Sequence, residues 1–552
     1  MDRCGGALAS RRRRAPRVII MPTSDTNGPS RDSAKLLEAE DTRRQFFPRR
    51  NLISSHADFL ARASEPAGRY RSPKGAVEQL HREFEKYLAE FGGEDVRPSY
   101  IFENPLYPVP PAWQAVFDYL YAEGVISSRF VSFERLFHDE PKIYSLRLFS
   151  VFGKEATDGR APSTPGHSRG VSPDFEEALS KVTGEFLERY PLTLYKQEEF
   201  VRASVNDLRK YKKSFLNIHA LAGFADWQKE PPGRRFDDTS LFHWVPGVEL
   251  LSNTKALIPA QLVFWNYDVR REPVEPYLRQ PITNGAAGHF TRTEAILAGI
   301  YENIQRDAFL IRWLRGMPPP RIAHASLRDE TLKKTIAEFE RYGFEVILLD
   351  TTLDCEVPSC TCVLIDTTGR GPAVSLGGGC GSDLERALMR GIAEAHGVCH
   401  WLRTQPYGTV QLRADYKPFR DPLIQQDARL LLWGHESMLQ HIQPFISGKE
   451  VPVSHADSKY PREFASPEAE LERVLATLRA KGEGYEVYVY EAQHRILKTL
   501  GYASVRVVIP ALLPLYLNEM DAPVGSSRLS SVPSAFGHSS ESELTPWPHP
   551  FP

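Results

Sequence analysis

Two segments of the chain place acidic side chains at spacings that could bind a cation. The segment GEFLERY contains Glu185 and Glu188, and the segment GIYENIQRDAFLIRWL contains Glu302, Gln305 and Arg306. Side chains three residues apart lie on one face of a helix, where two carboxylates repel each other, and more strongly when they are desolvated. Mg²⁺ prefers carboxylate oxygens and completes its coordination with water and substrate phosphates. The pattern therefore favours binding of a magnesium–nucleotide complex.

A simpler interpretation is an exposed helix face, since charged pairs three or four residues apart are common there. Against it, AILAGIYENIQRDAFLIRWL is too rich in large apolar residues for its polar side chains to lie on an ordinary solvated face. Buried carboxylates must be paired or coordinate a metal ion. At about 100° per residue, Glu294, Glu302 and Gln305 fall within about 80° of one another, with Arg306 slightly further round. We therefore expect one acidic face on this helix.

The composition is that of a globular chain. With 552 residues, 41% of them hydrophobic, the chain can bury one large core or two ordinary ones. Its net charge of −2 provides no field to attract nucleic acid or an anionic membrane. Six cysteines are too few and too unevenly placed for a secreted disulfide framework, and no apolar segment is long enough to span a bilayer. We expect a cytoplasmic protein that binds neither nucleic acid nor membrane.

The chain divides by composition into four parts. Residues 1–75 are polar and aperiodic, which predicts a poorly ordered extension. Residues 76–164 begin with an amphipathic helix over 76–91 and form the first part of the main domain, which continues through 165–520. Residues 521–552 predict a flexible tether and a proline-rich tail. Helical and strand patterns alternate along the main domain, which indicates an α/β or α+β fold with several strands.

Glycine-rich segments precede two of the predicted helices. VSLGGGCGSD comes before a helix over 384–403, which carries Arg390 and Glu394, and NGAAG spans 284–288. Such turns can present backbone N–H groups to a phosphate. They equally serve as ordinary strand–helix turns, because glycine also permits positive φ and close packing. Neither segment has the spacing of a Walker A loop.

Three segments, taken together and in order, resemble the nucleotide-binding segments of the YcaO family. They are GEFLERY, NGAAG followed by TEAILAGIYENIQRDAF, and ALMRGIAEAHG. The resemblance covers roughly 165–552, with 96–165 less similar and 1–75 outside it. It implies a YcaO-type ATP-binding fold with mixed sheets and packed helices, unlike the P-loop and protein-kinase folds. ATP and Mg²⁺ are the cofactors that it implies.

The resemblance also implies roles for individual residues. Those it makes ligands of magnesium and nucleotide are Glu185, Glu188, Glu294 and Glu302. Those it places at the nucleotide's phosphates or pocket are Arg306, Arg390, Glu394 and, in an early loop with the sequence GHSRG, Ser168 and Arg169. Gln305 stands where the family usually has Glu, and its carbonyl oxygen can coordinate a metal without adding charge.

The chain ends LTPWPHPFP, with the terminal carboxylate on Pro552. Alternating prolines favour an extended rod and by themselves indicate an SH3-type ligand or a disordered end. Azoline-forming cyclodehydratases of the YcaO family end in a similar tail that brings the terminal carboxylate to the active site. The resemblance therefore makes the Pro552 carboxylate a candidate general base, docked into its own pocket by the tether.

The function that the resemblance implies is ATP-dependent conversion of Cys, Ser or Thr residues of a ribosomally made precursor peptide into thiazolines or oxazolines. It implies a leader-binding partner resembling ubiquitin-activating enzymes, a flavin-dependent azoline dehydrogenase in some systems, and a dimer or larger complex. Two alternatives stay open: a thioamide-forming enzyme of the same family, and a non-catalytic nucleotide-binding scaffold.

Overall fold

A computed structural model describes most of the chain from Phe102 onward. The described residues are 102–135, 141, 143–150, 167–230, 233–265, 267–270, 274–369, 371–403, 405, 407, 410–421, 426–457, 460–539 and 542–552. The extension predicted over 1–75 and the helix predicted over 76–91 lie outside them.

Strands within the described residues form three sheets. In chain order they are β1 (Phe102–Pro108), β2 (Phe130–Arg135), β3 (Tyr144–Phe149), β4 (His167–Ser172), β5 (Val201–Ser204), β6 (Leu241–Glu249), β7 (Thr254–Pro259), β8 (Ala286–His289), β9 (Arg321–Ile322), β10 (Phe344–Asp350), β11 (Ser359–Asp366), β12 (Val374–Cys380), β13 (Glu450–Val451), β14 (Tyr488–Glu491) and β15 (Ala503–Val508). The sheet orders are β1-β2-β3-β4, β12-β11-β10-β9-β13, and β5-β6-β14-β15-β8 with β7 on β6. Apart from the parallel pair of β9 and β13, the pairings between these strands are antiparallel.

The helices pack on these sheets. Their bounds are α1 (Pro111–Ala122), α2 (Phe175–Arg189), α3 (Val205–Lys210), α4 (Arg292–Leu314), α5 (Glu330–Arg341), α6 (Leu384–Arg403), α7 (Gln426–Trp433), α8 (Leu439–Ile446), α9 (Ser454–Asp457), α10 (Pro467–Lys481), α11 (Arg495–Leu500) and α12 (Arg528–Ala535). Several begin at side chains that accept from the first turn, as Asp174 does for α2 and Thr291 for α4. The predicted mixture of helices and several sheets is confirmed, as are the bounds of the helix predicted over 384–403.

Helix α4 lies between two sheets, which explains why its sequence is apolar almost all round. Ile300 and Ile304 pack with Val507 of β15, whereas Phe309 packs in a second core with Leu376 of β12. A helix buried on two sides must satisfy its polar side chains inside the protein. The polar residues of α4 therefore face either a structural partner or a site.

Helix α6 packs directly on β12, and the glycines of that strand make the contact possible. A Cβ atom on Gly377 would stand 2.4 Å from the backbone of α6, and one on Gly379 would stand 2.1 Å from the carbonyl oxygen of Ala387. The prediction that VSLGGGCGSD is a turn is therefore wrong for its first seven residues, which form β12 with every residue buried. The glycines are required by close strand–helix packing.

Two further predictions are corrected by the structure. The segment GHSRG, predicted as a loop, places Ser168 and Arg169 in strand β4, which pairs along its length with β3. The segment predicted as a flexible tether contains helix α12, whose Arg528 is 3% exposed. Burial of that arginine requires charged partners on the body of the protein.

The cysteines of the described residues, Cys355, Cys360, Cys362, Cys380 and Cys399, are all buried. Of these, Cys355, Cys360, Cys362 and Cys380 are free thiols. A search of the described residues finds no helix both long and apolar enough to cross a membrane.

Replacing Gly379 by Ala should destabilise the fold, because the new methyl group would force β12 away from α6. Overpacking of this kind costs about 1–3 kcal/mol, measurable as a lower midpoint in urea. The matched control is Gly397→Ala within α6, whose Cβ would meet its nearest atom at 3.4 Å and whose helix propensity improves. Equal stability of the two variants would contradict the packing argument.

Candidate active site

Three glutamates from three different helices come together, and each is held by a backbone N–H group. The pairs are Glu185 of α2 with the N–H of Arg169, Glu302 of α4 with the N–H of Gly285 at 2.8 Å, and Glu394 of α6 with the N–H of Gly378 at 2.7 Å. The N–H donors belong to β4, to the turn before β8, and to β12. Each carboxylate uses one oxygen in this bond, which fixes its orientation.

Arginines on the same helices face these carboxylates. Arg189 pairs with Glu185 at 2.6 Å, and Arg306 pairs with Glu302 at 3.3 Å. Both are pairs of residues four apart on one helix. The side chains of Glu185 and Glu302 remain 21% and 23% exposed, so the pairs line an accessible surface rather than a closed core.

A fourth carboxylate, Glu188, lies close enough to the others to change its protonation. Burial raises the pKa of Glu188 to about 8, and the charges of Glu302 and Glu185 add to this effect against the opposite effect of Arg189. Burial likewise raises the pKa of Glu394, with Glu302 and Glu185 again contributing. We call Glu185, Glu188, Glu302 and Glu394 the carboxylate cluster.

The cluster fits a divalent cation with a nucleotide. The charges of Glu302 and Glu185 add to burial in raising the pKa of Glu188 and Glu394, which means that a positive charge would be stabilised among these carboxylates. Nη1 of Arg306 is buried and has no hydrogen-bond partner among the described residues, so it could donate to a phosphate oxygen. No group of three acidic, His or Cys side chains within the described ranges could hold a metal by itself. Mg²⁺ that shares its coordination with substrate phosphates does not need such a group.

Gln305 lies beside the cluster and packs against strand β12. It is 7% exposed, and a Cβ atom on Gly378 would stand 2.3 Å from its amide nitrogen and 2.9 Å from the ring of Phe551. Gly378 therefore provides the space in which Gln305 and the end of the chain meet. Of the three consecutive glycines, Gly377 and Gly379 allow α6 to pack on one side of the strand. Gly378 leaves room for Gln305 and Phe551 on the other side.

The structure places other predicted site residues differently. Glu294 belongs to the cap of α4, where it accepts from Thr291 and lies 2.8 Å from His289. We expected Glu294 beside Glu302 and Gln305. Its side chain instead contacts the residues that cap α4. Arg390 is exposed, with Nη1 at 3.4 Å from the carbonyl oxygen of Cys380.

Ser168 and Arg169 lie under the cluster rather than in a loop beside it. Ser168 is 3% exposed. Arg169 holds Glu185 through its backbone N–H and donates from Nη1 to the carbonyl oxygen of Gly397 at 2.7 Å. The side chain of Arg169 thus connects strand β4 to helix α6, and its main chain contributes to the site. The ligand roles of all the predicted site residues, including Glu294, Arg390, Ser168 and Arg169, stay predictions.

The last eight residues, 545–552, are docked on the protein, and we call them the C-terminal strap. Trp313 donates to the carbonyl oxygen of Trp547 at 3.2 Å, and Trp433 donates to that of Pro548 at 2.8 Å. The ring of Phe551 is fully buried and lies 4.7 Å from the ring of Phe309.

The end of the strap reaches the carboxylate cluster. The guanidinium of Arg306 stands over the ring of Phe551 at 4.3 Å, a cation–π contact. Arg306 thus contacts the strap and, through Glu302, the cluster. Phe551, the residue before Pro552, is therefore held next to Arg306.

A second attachment lies between the main domain and the strap. Arg528 of helix α12 pairs with Asp307 at 2.5 Å and with Asp354 at 2.8 Å. Asp307 follows Arg306 on α4, so the helix that carries the site also holds this arginine. Sequence reasoning missed Arg528, Asp307 and Phe551. For Arg528, the presence of an arginine in a segment predicted as a flexible tether was a signal that could have indicated an ordered contact.

Together, the fold and the site define a class of ATP- and Mg²⁺-binding α+β proteins. The family model described as YcaO cyclodehydratase, ATP- and Mg²⁺-binding, matches residues 169–513. This match covers more than half of the chain, and the protein belongs to the YcaO family. The predicted cofactors, ATP and Mg²⁺, are thereby confirmed.

The relatives include a protein of Methanothermobacter thermautotrophicus that is 27% identical over 368 residues, which are 66% of this chain and 85% of the relative. Among solved structures, a heterocyclase in complex with substrate and cofactor matches 75% of this chain with a TM-score of 0.57 and 21% identity. This chain spans 53% of that heterocyclase. YcaO from Methanopyrus kandleri, bound with AMPPCP and Mg²⁺, matches 74% of this chain and 93% of its own, with a TM-score of 0.51 and 17% identity. These structures share the fold.

Replacing Glu302 by Gln should weaken binding of MgATP at least tenfold, about 1.4 kcal/mol, because the cluster loses a negative charge while the shape is kept. The protein without ligand should keep its fold, because the amide oxygen can still accept from the N–H of Gly285 and the loss of the pair with Arg306 is offset by the loss of repulsion from the other carboxylates. Isothermal calorimetry and a thermal melt measure the two quantities. Glu330→Gln, on the exposed start of α5, is the control and should change neither; equal MgATP affinity of both variants would contradict the assignment.

Proposed function

We propose that this protein is an ATP-dependent cyclodehydratase that converts Cys, Ser or Thr residues of a ribosomally made precursor peptide into azolines. The observation that carries the proposal is the contact of Phe551 with Arg306, which holds the end of the chain beside the carboxylate cluster. A tail that served only as a ligand for another protein would have no reason to be buried there. Membership of the YcaO family supports the same reaction class.

The proposed reaction begins with attack of a side-chain thiol or hydroxyl on the preceding amide carbonyl carbon. The side-chain proton passes to a base, and the carbonyl oxygen becomes an oxyanion. That oxygen takes the γ-phosphoryl group of ATP, and ADP leaves. Loss of the amide proton and departure of phosphate then form the C=N bond of the ring. The peptide loses one water, and ATP becomes ADP and phosphate.

In this proposal the terminal carboxylate of Pro552 is the general base. An α-carboxylate is ionised at neutral pH without any adjustment of its pKa, and Phe551 fixes its position. A base must lie within hydrogen-bond reach of the proton that it removes. A docked strap can give the carboxylate a fixed position near a bound peptide, which a freely moving tail would not.

The other site residues bind and orient the nucleotide. The carboxylate cluster would hold Mg²⁺, whose charge neutralises the phosphates when it is bound. The unpartnered Nη1 of Arg306 donates to a phosphate oxygen, and its pairing with Glu302 keeps the guanidinium in place. Gln305 adds a polar but uncharged group where the family usually has Glu.

The same proposal includes the partners that the resemblance implies. The precursor peptide would be presented by a leader-binding partner protein resembling ubiquitin-activating enzymes, within a dimer or larger complex in the cytoplasm. A flavin-dependent dehydrogenase would oxidise the azolines to azoles. Co-purification of this chain with a protein encoded nearby, together with a Cys- or Ser-rich peptide, is the expected result.

Appending one alanine after Pro552 should abolish ring formation, because it moves the carboxylate away from its fixed position. Loss of a general base lowers the rate by about 10²–10⁴-fold, while MgATP binding should be unchanged. The measurement is the intact mass of a candidate precursor after incubation with the protein, its partner, Mg²⁺ and ATP, in which each ring removes the mass of one water.

The matched control is an alanine inserted after Glu543, which is exposed, since it lengthens the chain before the strap and leaves the carboxylate in register. Full activity of the appended variant would exclude the carboxylate as base. Exchange of oxygen for sulfur in the peptide would indicate thioamide formation, and an unchanged mass with bound ATP would indicate a scaffold.

A further inference from the structure

We propose that Arg429 positions the C-terminal strap by donating a hydrogen bond to the neutral ring of His549, so that protonation of His549 releases the strap. Only the expected effect of strap release on activity rests on the proposed function, because docking of the strap can be measured without any assay of activity. Arg429 would be a positioning residue, acting on the reaction through the strap.

The geometry requires a neutral histidine. Nη1 of Arg429 lies 2.7 Å from Nε2 of His549 and 2.6 Å from the carbonyl oxygen of Tyr516. Nε2 also lies 3.0 Å from the carbonyl oxygen of Tyr516. Because a guanidinium has only donors, we assign Nε2 as the acceptor in the shorter contact with Arg429, which places the ring proton on Nδ1. The two hydrogens of Nη1 then serve His549 and Tyr516. An imidazolium has no acceptor atom and would place two donors against each other.

The surroundings make a second positive charge unfavourable. Arg429 and His549 are both fully buried, at 0% exposure. Nε and Nη2 of Arg429 and both carboxylate oxygens of Glu519 are buried without hydrogen-bond partners among the described residues. Glu519 therefore offsets the charge of Arg429 only from a distance, and its own pKa is raised to about 7 by burial.

Other groups around His549 add little negative charge. The ring of Tyr516 meets it edge-on at 4.6 Å, and the ring of Phe309 lies 5.9 Å away. Burial and the charges of Arg429 and Arg306 lower the pKa of His549 well below its ordinary value, against the opposite effect of hydrogen bonds with the backbones of Tyr516 and Phe551. Among the described residues, the charged and titratable groups facing this part of the strap are Arg429 of α7, Arg306 of α4, His441 of α8, and Tyr516, Glu519 and Tyr416 from the connecting segments.

The sign of the pH dependence follows from linkage. In the released strap, His549 titrates near its ordinary pKa of about 6.5, and in the docked strap its pKa is lower. Docking is therefore complete above about pH 6.5 and weakens about tenfold for each pH unit below it. Since Phe551 lies two residues beyond His549, the bond from Arg429 sets how far the chain's end reaches toward Arg306.

The test is hydrogen exchange of the full-length protein between pH 5 and 8, corrected for the intrinsic rate and read on a peptide that contains the strap. The amide of Thr545, which bonds to the carbonyl oxygen of Leu314 at 2.8 Å, is among those observed. Protection should be constant above about pH 6.5 and fall about tenfold per unit below it. Constant protection down to pH 5 would overturn the proposal.

Three variants assign the effect to this pair. His549→Gln keeps an acceptor for Arg429 but cannot titrate, so protection should no longer fall with pH. His441→Gln is the matched control, since the ring of His441 stacks on Trp547 at 3.7 Å without facing an arginine in that contact, and the fall should remain. A fall that disappears in His441→Gln, or persists fully in His549→Gln, would overturn the proposal.

If His549→Gln leaves the strap undocked at every pH, the pH dependence of strap protection in Arg429→Gln tests the proposal instead. The amide can still donate to His549 but carries no charge, so the fall with pH should become shallower; an unchanged slope would overturn the proposal. Peptide modification measured over the same pH range separates the two proposals. Strap protection that falls as expected while activity does not follow would contradict the role of the terminal carboxylate and leave the role of Arg429 standing.

Discussion

Four carboxylates crowded between three helices are the constraint on which the rest of the structure depends. Burial raises the pKa of Glu188, and the like charges of Glu302 and Glu185 add to this effect. A fold must restrain such groups against their repulsion. The restraint comes from backbone N–H groups of β4, β12 and the turn before β8, which belong to all three sheets. A change in how any one sheet packs would therefore move a carboxylate. The close contact of β12 with α6 through Gly377 and Gly379 serves the same purpose, because it fixes the distance between the strand and the helix that carries Glu394.

The end of the chain is held by arginines rather than by apolar packing alone. Arg528 pairs with Asp307, Arg429 bonds to the strap at His549, and Arg306 stacks on Phe551. Buried polar pairs add little net stability but select one arrangement, because a shifted register would leave a charge without its partner. A strap attached in this way has a defined position for its last residue. That is what a terminal carboxylate needs if it is to act on a bound peptide.

Sequence reasoning predicted the mixture of helices and strands and the bounds of α6, because that helix has clear periodicity and limits. It failed where one residue type serves two purposes. The glycines of β12 suggested a phosphate-binding turn, but they are needed for strand–helix contact, and the sequence around them does not distinguish these uses. Glu294 has the helical spacing of a site residue, yet its position in the first turn engages it in the cap of α4. In the segment before the strap, the Ser, Gly and Pro residues indicated a flexible tether, but the segment contains helix α12, which Arg528 attaches to the main domain.

By itself, the sequence determined the spacing of acidic and basic residues along α2, α4 and α6, and the proline-rich end that resembles the tail of azoline-forming enzymes. These follow from residue spacing on one helix, which is local. Only the tertiary structure decided that the three helices bring Glu185, Glu302 and Glu394 together, and that the strap ends at Arg306. Contacts between residues hundreds of positions apart depend on sheet order and on which backbone groups lie free to bind a carboxylate, and neither property is encoded in a short segment.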